Sequence, residues 1–241
     1  MAGETGGADA GGPSPKPPSS ARYIIFVGVA FAALIAVATI STLGNPSNGL
    51  LGVNADVKER ALPEFAIPDV RSTLVGDANV FQDDCSSSQN PCPAGGGRPS
   101  ACQVHLAGAI RICDFFDRPL VISFWFIRGA SCLPAQDAFD QVARRYGDRV
   151  GFLSIDIRDN RDEVRRLAAE HHWTVPVGWD QDGAVSDLYR VGGCPTVALA
   201  YPGGIYAAAP RASIDTLTVP KLSADIRKLL ADTRRRAAAS R

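Results

Sequence analysis

Stretches without apolar pattern alternate along the chain with stretches that have a strict one. Residues 1–22 (MAGETGGADAGGPSPKPPSSAR) hold no large apolar side chain after Met1. Burial there cannot offset ordering entropy, which predicts a disordered N-terminal tail. Residues 23–43 then run for 21 positions without a charge. At about 1.5 Å per residue this reaches roughly 31 Å as a helix, against a hydrocarbon core of about 30 Å, and predicts a transmembrane helix. Gly44, Asn45 and Pro46 end it. A buried core helix would rarely run so far without a polar face. A cleaved signal peptide is an alternative, since Ala36-Val37-Ala38 has the form of a small-residue processing site; the continuation to Leu43 and the long preceding region with Glu4 and Asp9 favour an uncleaved anchor. Residues 44–61 read as a linker.

From Leu62 the pattern tightens. Phe65-Ala66-Ile67 is a short apolar piece between prolines, and residues 120–127 (LVISFWFI) form an almost continuous apolar run, as in a strand buried on both faces. Ala135, Ala138, Phe139, Val142, Ala143 and Tyr146 then draw one helical stripe that stops at Gly147. Residues 150–157 (VGFLSIDI) predict a second strand, and residues 161–172 a second helix with Val164, Leu167, Ala168 and His171 on one face. A short extended piece at 175–177, a turn at 180–183 and a short helix at 184–191 follow. Residues 196–201 (TVALAY) and 205–208 flank Pro202-Gly203-Gly204 as a hairpin, and residues 221–236 close the pattern as a helix. This order implies an α/β fold, a central mixed sheet with a parallel crossover, an antiparallel edge and helices on both faces. Working groups in such sheets sit beyond the carboxyl ends of the strands, and the loop after Ile127, with Cys132 at the start of the helix it feeds, is such a place.

Charge changes the picture by exclusion. Lys plus Arg and Asp plus Glu both number 25 in 241 residues, so the net charge is zero and nothing electrostatic points to nucleic acid. Lys16 and Arg22 precede the apolar span while Lys58 and Arg60 follow farther off, which orients the N-terminus to the cytoplasm and the rest outside it, as a single-pass protein of the cell membrane. Arg227, Lys228 and Arg234 to Arg236 crowd the end of the last helix, where cations suit the helix dipole; a membrane-surface role is the other reading.

The six cysteines are Cys85, Cys92, Cys102, Cys113, Cys132 and Cys194, an even count after an anchor, which fits an oxidising, extracytoplasmic setting. The first four lie in a polar, Gly- and Pro-rich insertion at 83–114, where structural disulfides are expected, with three pairings open. Zinc is the alternative there, because Cys102 and His105 form C-x-x-H, but no C-x-x-C knuckle accompanies them. No cofactor and no metal are expected.

Phe124-Trp125 at a strand end, Cys132 at a helix start and Gly193-Cys194-Pro195-Thr196 before a hairpin together resemble the thioredoxin fold. The chain looks most like membrane-anchored thioredoxin-like proteins of the TlpA, redoxin and AhpC/TSA type. The Leu62-Pro63-Glu64-Phe65 opening and the DQDG turn are also similar. The resemblance covers residues 62–235, leaving 236–241 as a C-terminal tail. One departure matters: the family's W-C-x-x-C reads here Gly129-Ala130-Ser131-Cys132, so the usual nucleophile is Gly129 and no C-x-x-C disulfide can form.

The resemblance implies that Pro195 is cis and that its loop faces the helix start, which makes Cys194 the expected partner of Cys132. A thiolate at Cys132, favoured by the helix N-terminus and by nearby Arg128, would attack a substrate disulfide and Cys194 would resolve it, with Pro195 shaping the loop. The expected partners are protein thiols and disulfides and a separate electron donor. Two other functions remain open: a catalytically silent thioredoxin-like module that binds proteins, and a peroxiredoxin-type peroxidase, which would normally show a Pro-x-x-x-Thr/Ser-x-x-Cys stretch that is absent. His171, His172, Trp173 and Trp179 read as packing residues. Asp156 reads either as a strand-end carboxylate or as a buried proton acceptor.

Overall fold

The computed structural model describes residues 28–35, 57–74, 86–87, 90–91, 100–103, 105–128, 132–212 and 217–239. The predicted tail 1–22, Cys85, Cys92, Gly129 and most of the linker 44–61 lie outside the described residues. Of the predicted span 23–43, residues 28–35 are described; they form a helix, α1, with exposed side chains. Among the described residues no helix is long and apolar enough to cross a membrane.

Residues 48–241 form a compact unit of their own. Its main sheet contains β5 (Leu120–Trp125), β6 (Gly151–Ile157), β7 (Val177–Asp180), β8 (Thr196–Tyr201), β9 (Ile205–Tyr206) and β10 (Arg211–Ala212). The path runs β10-β8-β5-β6-β7, with β9 also on β8. β5, β6 and β7 are mutually parallel, whereas β8 runs antiparallel to β5 and to its hairpin partner β9. The helices are α2 (Cys132–Tyr146), α3 (Arg161–Glu170), α4 (Ala184–Leu188) and α5 (Val219–Ala239). The α/β order expected from the sequence is the observed one, with shifted ends. α3 stops at Glu170 rather than 172, where His172 takes a φ of +54°, and α5 runs on through residues expected to be tail. In the β8–β9 turn Gly203 and Gly204 have φ of +80° and +69°, which only glycine adopts without strain.

Strand periodicity sorts the core. All six residues of β5 are buried; Val121 and Trp125 face one core and Leu120, Ile122 and Phe124 the other. On the first face Phe139, Val142, Val164, Leu167, Leu222 and Ile226 of α2, α3 and α5 pack against the sheet. On the second face lie Val185 of α4 and an element the sequence did not suggest. There β1 (Ala66–Pro68) pairs antiparallel with β4 (Ala109–Arg111), which belongs to the stretch read as a Cys-rich insertion. Ile67, Ile110 and Ile112 are buried there, so the end of that stretch is core rather than loop. The pair rests on β7 at Gly178, where an added Cβ would come within 2.2 Å of Ile67 Cδ1. A separate two-residue pair, β2 (Ser86–Ser87) with β3 (Asn90–Pro91), lies upstream.

The incoming chain is fixed at the end of β8 opposite to Cys194. Ala61 bridges Ile205, Leu62 N donates to Gly204 O at 2.7 Å, and Glu59 N donates to Tyr206 O at 3.0 Å. Glu59 also pairs with Arg236 of α5, whose guanidinium lies 4.4 Å from the Tyr201 ring centroid.

Asp140 of α2 holds the α3–β7 connection. Its side chain is 2% exposed; Oδ1 accepts from Thr174 N, Thr174 Oγ1 and Val175 N at 2.6, 3.0 and 3.0 Å, and Oδ2 accepts from Arg144 Nε at 2.8 Å. Asp140→Ala strands those amides and is expected to cost about 3 kcal/mol. Urea unfolding of the full-length protein measures this, and a loss under about 0.5 kcal/mol would show the cluster to be dispensable.

Candidate functional site

Antiparallel pairing sets Thr196, the first residue of β8, opposite Phe124 near the end of β5. The loop before β8 therefore lies beside the chain that leaves β5 for α2. Cys132 is the first residue of α2 and is 1% exposed; Cys194 is partly exposed in the loop. The structure joins them in a disulfide, with Cα atoms 6.0 Å apart across 62 positions. Such a separation is within the usual range for a bridge. The Cys194–Pro195 peptide is cis, Pro195 is buried, and Thr196 Oγ1 donates to Gly193 O at 2.7 Å, closing the loop across the two residues. Cys132, Cys194 and Pro195 are thus brought together beyond the carboxyl ends of β5 and β6.

Behind the disulfide lies a polar chain inside an apolar core. Trp125 Nε1 donates to Ser154 Oγ at 2.7 Å, and Ser154 Oγ donates to Gln136 Oε1 at 3.0 Å. Gln136 is one helical turn beyond Cys132 and is 1% exposed. On β6, Asp156 follows Ser154 by two residues, so it points to the same face, in register with Trp125. Asp156 is fully buried and neither carboxyl oxygen receives a hydrogen bond. Burial, and then the negative charge of Asp159, push its pKa up to about 9, so it stays protonated at neutral pH. The Asp159 carboxylate accepts from Ile127 N, on the segment leading to Cys132. Of the two readings of Asp156, an ordinary strand-end carboxylate does not fit this full burial. Asp180 is also buried and raised, by burial first, although Val185 N and Ser186 N donate to it at 3.1 and 2.8 Å.

The other candidates serve packing or lie on the surface. His171 Nδ1 and Trp173 Nε1 both meet Asp137 Oδ1, at 2.8 and 2.7 Å, and Trp173 packs edge-on to Trp125. His172 O accepts from Arg144 at 2.7 Å. Trp179 Nε1 donates to Asp159 O at 3.0 Å, under the Arg161 guanidinium. Arg128 is exposed.

In the Cys-rich stretch Cys102 is bonded to Cys113, with Cα atoms 5.7 Å apart. Glu64, Cys102 and Cys113 are the group of potential metal-ligating atoms close enough to share an ion among the described residues, within 4.8 Å of one another. With both sulfurs in a disulfide they offer no thiolate, and His105 Nδ1 faces Arg111 Nη1 at 3.2 Å.

The sequence reading missed Gln136, Ser154 and Asp159. Their signal was faint: a polar residue on an apolar helical stripe, a serine inside GFLSIDI, and an aspartate at a strand end.

No family model matches the chain. Among curated proteins, a Bacillus subtilis protein named thiol-disulfide oxidoreductase YkuV is 25% identical over 79 residues, 31% of this chain and 53% of that protein. The match thus spans about half the length of the curated relative. Among solved structures, a putative thiol:disulfide interchange protein DsbE from Chlorobium tepidum superposes with a TM-score of 0.52 at 16% identity, covering 72% of this chain and 97% of the other. A DsbF homologue from Corynebacterium diphtheriae gives 0.51 at 14% identity, covering 78% and 96%. The strand order, the cis-proline loop and these matches together give the chain a thioredoxin-like α/β fold, similar to that of thiol–disulfide interchange proteins.

Proposed function

We propose that the chain is a thiol–disulfide oxidoreductase whose redox pair is Cys132 with Cys194. One observation carries this reading: the two sulfurs are bonded at the mouth of a thioredoxin-like sheet, where the usual C-x-x-C is missing. The names of the curated relative and of the solved neighbours agree with it. Its substrates are protein thiols or disulfides, with a separate thiol or disulfide protein as electron carrier. The uncharged run at 23–43 supports a membrane tether, and two bonded cysteine pairs fit a domain outside the cytoplasm with the N-terminus inside.

A second reading keeps support from Gly129 at the usual nucleophile position: a silent module that binds partner proteins. Insulin-disulfide reduction by the full-length protein under dithiothreitol separates them. Cys132→Ser and Cys194→Ser are each expected to lower the rate at least a hundredfold, to the dithiothreitol background. Equal rates for wild type and both variants would leave the module.

A further inference from the structure

The two sulfurs are not equally placed, and their difference bears on the order of the chemistry. Cys132 is 1% exposed, whereas Cys194 lies in the loop and is partly exposed. An attacking thiolate must reach one sulfur in line with the bond and expel the other, so access decides which sulfur is attacked. Cys132 also opens the 15-residue helix α2, where the free backbone N–H groups and the helix dipole stabilise a thiolate. A stabilised thiolate departs faster. Exposure and leaving-group stability thus select the same direction of cleavage, with attack on Cys194 and departure of Cys132.

We infer that Cys194, the residue before the cis proline, is the substrate-linked cysteine, and that Cys132 at the helix start is the buried resolving one. The sequence reading gives these roles in the opposite order. This inference rests on the oxidoreductase reading above. When the protein oxidises a substrate dithiol, a substrate thiolate attacks Cys194 Sγ. The Cys132–Cys194 bond breaks, a bond from Cys194 to substrate forms, and Cys132 leaves as the thiolate. The second substrate thiolate then attacks the substrate sulfur of that mixed disulfide. The substrate leaves as a disulfide, Cys194 leaves as a thiolate, and the two substrate protons remain on Cys132 and Cys194 or in solvent. Two electrons pass to the protein. In the reducing direction the same steps run backwards: Cys194 attacks and Cys132 closes the bond.

The specificity consequence is immediate. The substrate is linked to the loop before β8 rather than to the helix start. A substrate is therefore linked beside Gly193 and Pro195.

The test uses the oxidised full-length wild type with limiting reduced glutathione, quenched with N-ethylmaleimide and mapped under non-reducing conditions. Glutathione is expected on Cys194 and maleimide on Cys132, in at least tenfold excess over the reverse labelling. The single variants check this from the other side: reduced Cys132→Ser is expected to take glutathione from its disulfide at least ten times faster than reduced Cys194→Ser. Glutathione mainly on Cys132, or the faster reaction in Cys194→Ser, would overturn the assignment while leaving the oxidoreductase reading intact. Glutathione on neither sulfur, with the Cys132–Cys194 bond still closed, would remove that reading and this assignment together.

Discussion

Asp156→Asn is expected to stabilise the protein, and to do so more as the pH rises. An unfolded aspartate ionises near pH 3.9, whereas Asp156 in the folded protein holds its proton to about pH 9. Between these values the folded state binds more protons than the unfolded state, so the wild type loses stability as the pH climbs. The contribution is complete below the unfolded pKa and is lost by the time the pH passes the folded one. Asparagine keeps the shape and does not titrate. The gap between variant and wild type should therefore widen by up to about 1.4 kcal/mol per pH unit, and by roughly 4 kcal/mol from pH 5 to pH 8. Urea unfolding at pH 5, 6.5 and 8 reads it directly. A gap that stays constant over that range would mean that Asp156 is ionised in the folded protein.

The Cys132–Cys194 bond is expected to be the strongest covalent contribution to stability among the described residues. It closes a loop of 62 positions, against 11 for Cys102–Cys113. The chain-entropy relation gives about 4 kcal/mol for the longer loop and about 3 kcal/mol for the shorter. The double variant Cys132→Ala with Cys194→Ala should unfold at correspondingly lower urea than the oxidised wild type. In the presence of reductant most of that difference should vanish, because the wild type then lacks the crosslink too and only the lost side-chain packing remains. A difference of the same size with and without reductant would place the effect in packing and deny the bond.

The central strand was legible because LVISFW has only one polar residue and is buried on both faces, and α2 because its apolar residues keep helical spacing to Gly147. The pairing of β1 with β4 was not. Ile67 meets Ile110 across a long polar segment, and a three-residue strand carries no periodicity to announce it. Burial of Ile110 and Ile112, far from Ile67 in sequence, is what makes the pair. At the site, residue types and spacing identified Cys132 and Cys194, but the resemblance to thioredoxin-like proteins was needed to set them face to face. Their unequal exposure depends on how the helix and loop enclose each sulfur, which no local pattern encodes. Ser154, Gln136 and Asp156 were obscure for a related reason: a polar residue within an apolar run has one meaning when it finds a partner and another when it does not, and those partners come from other strands and helices.

The anchorage of Ala61 and Glu59 on β9 has a consequence for traffic to the sulfur pair. β8 runs from Thr196 beside Cys194 to Tyr201 beside that anchorage, about 17 Å away at 3.3 Å per residue. The polypeptide thus enters at one pole of the sheet and the Cys132–Cys194 bond sits at the other. Any partner that grips residues 59–62 therefore stands a full strand's length from the disulfide.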